Sequence, residues 1–485
     1  MEVPVTERYN RSIRGFDFSA VSPIAAQAQA NYAKAPNAQL PAALFQVRGG
    51  VTFAGVNGPR TLWAAQKHNF APRAGIAWRY RNAAVIRAGY GMFFDIARQN
   101  AIQTGFSRTT SLVSSTDSGQ TYLATIENPF PKGFDLPVGS ALGLMTNAGQ
   151  SLTVFPGRLL NPYQQRWEFT VQRSLGNQAL VEIGYVGSRG THLRTSRQLD
   201  PLPARYLSTY AARDNARYTL LTTNVSNPFY PLLPNTSLSG STVQLAQLLR
   251  PYPQFTGITA VTNDGFSWYH SLQARMQKRF GRNYQTIVAY TWSKYLEAIN
   301  FLNEADATTT HVVSSQDRTH RIVATGIWQI PLAKGRRGIV GLVAAGWQLQ
   351  GIYQRQSGAP LSFGNVLWYG GNIHDIAGGR TAAAWFNTAN FERNAALQLV
   401  YNLRTFPLRL SGVRTMGLNL LDAGISKNRR VREGITLQLR ADAFNSMNHT
   451  HFGAPNTSPT STDFGSITTT SQQPRVIEFS LRVSF

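Results

Sequence analysis

The sequence predicts an all-β protein, namely a large antiparallel β-barrel that crosses a membrane with its strands. Three observations support this prediction. Many segments of about ten residues alternate between apolar and polar side chains, a period of two that puts the two sets on opposite faces of a strand. Between these segments, short turns alternate with long loops. The chain also ends on such a segment, residues 475–485, whose apolar face includes the carboxy-terminal Phe485.

The composition fits strands with polar loops and excludes several other classes of protein. The 485 residues include 41 glycines and only 14% charged residues, which is few for a soluble surface. No cysteine is present, so disulfides, thiolate metal ligands and thiolate nucleophiles are excluded. The 47 basic and 23 acidic residues give a net charge of +24, but the basic residues are scattered and form no stripe or basic helix. Nucleic acid is therefore not a predicted partner.

No segment predicts a signal peptide or a helical membrane anchor. Residues 1–10 contain acidic and polar side chains and lack an apolar core. The most apolar stretch, residues 338–347, contains three glycines and is too short to span a bilayer as a helix. If this chain crosses a membrane, it therefore has to do so with strands.

The sequence predicts two regions of unequal size. Residues 1–43 form an irregular amino-terminal segment with a short helix over 25–35, and residues 44–485 form the barrel portion, with about twelve strands. Ile287 and Ile352 interrupt the alternation of their strands by placing an apolar side chain on the polar face. The predicted strands are 44–53, 73–80, 84–93, 166–175, 179–187, 266–279, 284–296, 320–330, 346–358, 417–427, 435–444 and 475–485.

The links between the predicted strands alternate in length. The short links are 81–83, 176–178, 280–283, 331–345 and 428–434, and the long ones are 54–72, 94–165, 188–265, 297–319, 359–416 and 445–474. Long loops are uncommon in compact domains, yet here every second link is long. Short turns at one rim and long loops at the other are typical of a transmembrane β-barrel, whereas a soluble sandwich or propeller gives no reason for the alternation.

The two faces of the strands have different expected surroundings in the two candidate folds. In a soluble barrel or sandwich the apolar faces form a packed core, whereas in a membrane barrel they contact lipid and the polar faces line the lumen. Large aromatic residues near the strand ends favour the membrane barrel, because they would form an interfacial girdle. These residues are Trp78, Tyr80, Trp167, Trp268, Trp292, Trp328 and Trp347.

Several motifs of these segments match a known family in their order along most of the chain. They are NFAPRAGIAWRY, IRAGYGMFFD, NPYQQRWEFTVQRSLG, EIGYVGSRGTHL, YHSLQARMQKRFG, YTWSK, QDRTHRIVATGIWQIPLAKGRR, GWQLQGIYQRQSGAPL, ADAFNSMNHTHFG and the terminal strand. Together they resemble the barrel of TonB-dependent outer-membrane transporters, specifically the Oar-like group. The resemblance implies an antiparallel β-barrel of outer-membrane type, located in the cell outer membrane. It also implies that Phe485 is the assembly signal read by the barrel-assembly machinery.

The resemblance further implies that this chain is a partial barrel. Members of the family carry a signal peptide, usually an immunoglobulin-like module, a plug domain and about 22 barrel strands. The chain is therefore expected to be the carboxy-terminal half of such a protein, and a TonB-type energy-coupling protein would be a partner only through the missing plug. An open, strongly curved antiparallel sheet is expected, with no backbone pairing between residues 475–485 and the first hundred residues.

Four arginines on the polar faces are the candidate substrate-binding residues of the lumen: Arg87, Arg275, Arg440 and Arg482. They could attract anionic solutes, or they could pair with acidic groups of a plug. Other basic residues cluster at the short turns, which are expected to form the periplasmic rim. These are Arg79, Arg81, Arg279, Arg282, Lys334, Arg336, Arg337, Lys427, Arg429, Arg430 and Arg432.

No set of residues predicts catalysis, a cofactor or a metal site. His449 and His451 could offer two imidazoles to a metal, but no carboxylate lies close in sequence, so a structural loop motif is predicted. The run from Asp317 to His320 predicts local ion pairing and capping where a strand begins. No serine has a nearby base, no carboxylates are paired, and no glycine-rich loop precedes a helix. The protein is therefore predicted not to be an enzyme.

The predicted function is that of an outer-membrane transporter or receptor. It would take up an unidentified ligand through a plug-gated lumen, the plug being absent from this chain, and its apolar faces would contact outer-membrane lipid. The alternative is a surface-exposed adhesion or binding protein that uses the same long loops.

Overall fold

In the computed structural model, the structure describes residues 4–80, 84–95, 110, 112–115, 117, 119–134, 136–155, 160–176, 178–278, 283–333, 335–336, 338–376 and 378–485. The helices in this part of the chain are α1 (Ala25–Ala33), α2 (Asn215–Thr222), α3 (Leu245–Leu248) and α4 (Gly338–Ala344). No helix within the described ranges has the length and apolar character needed to cross a membrane.

Strands dominate the described residues. They are β1 (Ile13–Val21), β2 (Arg48–Phe53), β3 (Arg73–Tyr80), β4 (Ala84–Phe94), β5 (Ser151–Val154), β6 (Tyr163–Leu175), β7 (Ala179–Gln198), β8 (Asn224–Ser226), β9 (Thr242–Gln244), β10 (Gly257–Lys278), β11 (Tyr284–Ala298), β12 (Val312–Val313), β13 (His320–Gln329), β14 (Trp347–Gln356), β15 (Pro360–Ser362), β16 (Arg409–Arg414), β17 (Leu418–Arg432), β18 (Ile435–Phe444) and β19 (Val476–Ser484).

One sheet of 13 strands contains most of them. Its continuous path runs β3-β4-β6-β7-β10-β11-β13-β14-β17-β18-β19, and each successive pair is antiparallel. The short strands β5 and β12 lie off this path, where β5 pairs in parallel with β10 and β12 pairs with β11. The prediction of a large antiparallel sheet is confirmed, and the short strand β5 departs from it by pairing in parallel.

The path is open within the described residues, as expected. Strand β19 pairs with β18 and strand β3 pairs with β4, with no pairing between these two edge strands. The expected count of about twelve barrel strands agrees with the sheet, which has 13 strands in all and 11 on its continuous path.

The strand that was predicted over residues 44–53 is the one that does not join the large sheet. A strand forms only from Arg48 to Phe53, and it pairs with β1 in a separate two-stranded sheet. Gly49 has φ +86°, and a Cβ there would lie 2.7 Å from the ring of Phe16. Consecutive residues from Gly49 to Val51 are buried, so β2 has no lipid-facing side. Its glycine pair serves close packing in a core. The division into residues 1–43 and 44–485 remains a prediction.

The predicted short links agree with the structure only in part. Residues 433–434 form the turn between β17 and β18, because β17 continues to Arg432 through the segment predicted as turn. The link 331–345 contains α4. Turn residues 81–83, 177 and 280–282 lie outside the described residues.

The buried core lies in the long connections, which pack together into what we call the loop layer: residues 13–63, 145–154, 199–260, 297–319, 361–376, 378–416 and 445–474. One cluster joins β1, α1 and β2 to residues from 145 to 260, with Phe229 and Phe255 fully buried. A second joins Phe363 and Phe391 to Phe464. A third connects α2 and α3 with Tyr401. The chain therefore builds a folded layer from its loops at one rim of the sheet.

Candidate ligand-facing surface and loop layer

Cross-strand register divides the large sheet into two chemically different faces. Residues directly opposite one another share a face, so each row of partners can be followed across the sheet. One row is almost entirely polar: Arg87, Thr170, Gly184, Gln273, Thr291, Arg321 and Gln356. The row beside it on the opposite face is apolar and aromatic: Phe169, Tyr185, Leu272, Trp292 and His320. We call these the polar face and the apolar face.

The first two candidate arginines lie on the polar face in the amino-terminal half of the sheet. Arg87 of β4 donates a hydrogen bond of 2.5 Å from Nη1 to Oε1 of Gln172 on β6. Arg275 of β10 lies directly opposite Glu182 of β7, and both arginines are exposed.

The other two lie at the carboxy-terminal edge of the same face. Arg440 of β18 donates from Nε to Oδ2 of Asp442 at 2.5 Å in an ion pair that is partly open to solvent. Arg482 of β19 lies opposite Gln438. The structure thus places all four candidates on one face, but it separates them into two groups, on β4 and β10 and on β18 and β19.

A cavity of 410 Å³ lies beside the second group, across strands β11 to β18. Its lining includes Ile287, Ile327 and Ile352, together with Phe444 and the Arg440–Asp442 ion pair. Ile287 and Ile352 flank Thr325 in one cross-strand row, so the two irregularities noted in the sequence come together. This volume is within the range of small-molecule sites.

The position of the ion pair depends on a glycine in the neighbouring strand. Gly424 of β17 lies opposite Asp442, and a Cβ at that position would collide with the Asp442 carboxylate. The cavity therefore combines an apolar floor with a carboxylate and a guanidinium that the sheet holds in fixed positions.

Two buried ion pairs connect segments of the loop layer that are far apart in the sequence. Asp317 has a fully buried side chain, and its carboxylate accepts from the backbone N–H of Tyr295 at 2.7 Å and from Nη2 of Arg414 at 2.6 Å. Arg409 donates to Glu297 at 2.5 Å. The predicted ion pairing within the run 317–320 is wrong, because the ion-pair partner Arg414 belongs to a different loop. The predicted local capping is confirmed, since the Asp317 carboxylate accepts from Oγ1 of Thr319 at 3.3 Å.

A third buried acid has no cationic side-chain contact among its hydrogen bonds. Asp200, just after β7, is fully buried and accepts from the backbone N–H of Tyr252 at 2.8 Å. Its other carboxylate oxygen is buried without a hydrogen-bond partner. Burial raises the pKa of Asp200 to about 7, although the Tyr252 N–H and the charge of Arg250 lower it.

The two loop histidines have structural surroundings. The rings of His449 and His451 are 5.1 Å apart between centroids. His451 is buried, and its Nε2 contacts the backbone of Asn419 at 3.0 Å. Across the described ranges, no group of three or more histidine, aspartate or glutamate side chains is arranged to hold a metal ion.

Among the basic turn residues that the structure describes, Arg430 and Lys427 contact other side chains. Arg430 lies 3.7 Å from Glu433, and both side chains are largely exposed. Lys427 packs its ammonium 4.9 Å from the ring centre of Trp347. Arg81, Arg279, Arg282, Lys334 and Arg337 lie outside the described residues.

The carboxy-terminal Phe485 follows the last residue of β19 and is 99% exposed. It therefore contributes no packing within the chain, and an assembly role for it stays a prediction.

Sequence reasoning missed several residues of these surfaces. Ile327 and Phe444 were not singled out, although the interruptions at Ile287 and Ile352 signalled an apolar patch on a polar face. Asp200 and the Glu297–Arg409 pair carry no signal in the sequence, because their environments come from segments far apart in the chain.

Comparison with protein families, curated sequences and solved structures shows what the chain is similar to. The sequence matches the family described as "Outer membrane beta barrel domain" over residues 1–478. No curated protein sequence matches it. Among solved structures, the outer membrane transporter YddB from Escherichia coli is similar with a TM-score of 0.38 and 11% identity, over 83% of this chain and 38% of that one.

Two further solved structures are similar over comparable shares. For the FrpB iron transporter from Neisseria meningitidis the TM-score is 0.38 and the identity 9%, over 85% of this chain and 39% of that one. For the siderophore receptor PirA from Acinetobacter baumannii the TM-score is 0.40 and the identity 8%, over 86% of this chain and 41% of that one. The chain thus spans well under half the length of these structures.

Proposed function

Because this chain belongs to the family of outer membrane beta barrel domains, we propose that it forms part of an outer-membrane transporter or receptor that takes up a small ligand. It is a protein of the cell outer membrane. In this proposal the apolar face contacts lipid, the polar face lines the lumen and the loop layer meets the ligand outside the cell. The role is non-enzymatic.

The observation that carries the proposal is the built cavity on the polar face. A wall that served only to hold water would need neither three isoleucines nor Phe444, which is 45% exposed there. An apolar floor with a few placed polar groups is the usual composition of a small-molecule site. The exposed Arg440 guanidinium beside it would favour a ligand with an anionic group.

The energy source and the assembly partners extend the proposal. The resemblance of the motifs to TonB-dependent transporters supports coupling to a TonB-type protein through a plug that the described sheet does not contain. We also propose that the barrel-assembly machinery reads Phe485, because this exposed aromatic residue closes the apolar face of β19.

The test compares solute uptake in cells that lack the gene with cells that express the full-length protein or one of two cavity variants, Ile352→Gln and Arg440→Gln. Extracellular solutes that disappear from the medium are identified by mass spectrometry. At least one solute should be taken up in the complemented cells, and both variants should slow that uptake several-fold. Arg166→Gln is the matched control, because Arg166 lies on the same face away from the cavity in an exposed ion pair with Glu168, and it should leave uptake within twofold.

An adhesion protein is the second candidate, favoured by exposed aromatic residues in the loop layer. Tyr210, Tyr230 and Tyr369 are 68%, 52% and 63% exposed. If adhesion is the function, no solute will depend on the gene, whereas cell attachment to a host or abiotic surface will fall when these tyrosines are replaced by serine.

A further inference from the structure

The short helix α4, in the link between β13 and β14, packs against the preceding loop through a glycine. Gly341 is its one buried residue. A Cβ at Gly341 would collide with the backbone carbonyl oxygen of Arg336, so the helix can approach the preceding loop only with glycine at this position.

The opposite side of α4 is apolar and open. Successive residues of an α-helix are about 100° apart, so the four residues flanking Gly341 in sequence point away from it within one arc. They are Ile339, Val340, Leu342 and Val343, with exposed fractions of 79%, 63%, 49% and 61%. A helix that turned this arc toward water would leave a continuous apolar patch exposed.

Two side chains of the sheet show on which side of the rim α4 lies. The carbonyl oxygen of Val343 accepts from Nε1 of Trp347 at 2.8 Å and from Nζ of Lys427 at 2.5 Å. Trp347 and Lys427 are cross-strand partners on β14 and β17. Their row continues to Leu439 and Leu481, which places both donors on the apolar face. The end of α4 is therefore attached to the lipid-contacting side of the sheet.

We propose that α4 is an interfacial lipid-binding element that lies in the bilayer leaflet at the turn rim. Its apolar arc continues the lipid-contacting surface of the sheet beyond the last strand residues. Tryptophan and lysine at this level are the side chains preferred where hydrocarbon meets headgroups. Arg336, just before the helix and exposed, can reach lipid phosphates. This inference goes beyond the proposed uptake and requires only the outer-membrane location.

The absence of cysteine in the natural chain makes the test direct. Single-cysteine variants Ile339→Cys and Val343→Cys carry a nitroxide label and are studied in phosphatidylcholine proteoliposomes at high lipid-to-protein ratio. Collision with oxygen reports lipid, and collision with a water-soluble nickel chelate reports water. Phe479→Cys on the apolar face, 82% exposed, is the lipid control. Glu433→Cys in the β17–β18 turn, with a side chain 99% exposed, is the water control.

Both α4 labels should give oxygen-to-nickel accessibility ratios within twofold of the Phe479 label and at least fivefold above the Glu433 label. Ratios matching Glu433 would overturn the proposal. Low collision with both reagents would also overturn it, because a second copy or another protein would then cover the helix.

A second measurement needs no variant. In hydroxyl-radical footprinting of the unmodified protein, Val340 should be oxidised at least fivefold less in proteoliposomes than Val21 of the loop layer. The two valines have comparable exposure, 63% and 73%, so equal oxidation would contradict lipid coverage. Neither experiment depends on uptake. A negative result in either one would contradict lipid binding by α4 and leave the proposed function unaffected.

Discussion

The loop layer and the large sheet of this chain place their apolar side chains in opposite environments. In the loop layer, Phe229, Phe255 and Leu245 have no exposed surface, and two ion pairs are buried. In the terminal strand β19 every residue is exposed, including Phe479 at 82%. The difference shows what covers the apolar side chains of each region. The loops bury apolar surface against one another, as a soluble domain does, whereas the sheet leaves its apolar face for lipid.

The largest effect that would sharpen this contrast is expected from breaking a buried ion pair in the loop layer. Arg414→Gln leaves Asp317 buried without its cation, which should cost the loop layer about 3–5 kcal/mol. Hydrogen exchange of loop amides against denaturant measures the loss. Arg430→Gln removes the exposed pair with Glu433 and should change stability by less than about 0.5 kcal/mol. Equal losses would mean that burial does not distinguish the two pairs.

A pH effect should follow from Asp200, again confined to the loop layer. Its pKa is about 7 in the folded protein and near 3.8 in the unfolded chain. The folded state therefore binds the proton more tightly, so the contribution of Asp200 to stability is fully present below pH 4 and is lost as pH rises toward 7. The shift corresponds to about 4 kcal/mol at most.

Asp200→Asn should remove this loss. The variant should match the natural protein near pH 4 and be more stable at pH 8, as measured by loop hydrogen exchange or by protease resistance. Asp463→Asn, at an exposed aspartate, is the control and should follow the natural protein at both values. If the difference in loop stability between the natural protein and Asp200→Asn were the same at pH 5 and pH 8, the buried-acid explanation would be refuted.

Within the sheet, the two faces can be separated by one pair of neighbouring substitutions. Phe479→Arg puts a charge on the apolar face and should cost about 2–4 kcal/mol in a bilayer if the site is near the midplane. Ser480→Arg puts the same charge on the polar face of the same strand and should cost less than about 1 kcal/mol. Denaturant-dependent folding into lipid vesicles measures both. Similar costs would indicate that the faces do not meet different surroundings.

The smallest effect on stability is expected at the chain end. Phe485→Ala should change the free energy of unfolding by less than about 0.5 kcal/mol, because the residue packs on nothing in the chain. Its outer-membrane yield in cells should nevertheless fall, if the assembly machinery reads the terminal aromatic residue. An unchanged yield in cell fractionation would show that Phe485 has no assembly role.

The same contrast explains what could be predicted from the sequence. Strands such as β10 and β18 were found because a face toward lipid and a face toward water impose a period of two on the residues themselves. Residues 44–53 were misassigned because β2 is buried on both sides against β1 and the ring of Phe16, so its surroundings come from other segments.

The candidate site likewise has features that could be predicted from the sequence and features that could not. The face on which Arg87, Arg275, Arg440 and Arg482 lie follows from alternation along each strand. Their separation into two groups depends on strand order, and the pairing of Asp317 with Arg414 depends on how two loops meet. Neither relationship leaves a local signal, because the partners are nearly a hundred residues apart in the second case.

The open path of the sheet has a directional consequence. With 11 antiparallel strands in succession, the first and last strands point the same way, so β3 and β19 both run from the loop rim to the turn rim. Direct closure of the sheet on itself would join these edges in parallel. Two copies in one membrane orientation would do the same, since β3 of one would meet β19 of the other. Antiparallel closure around this sheet therefore requires an odd number of additional strands, whatever chain segment supplies them.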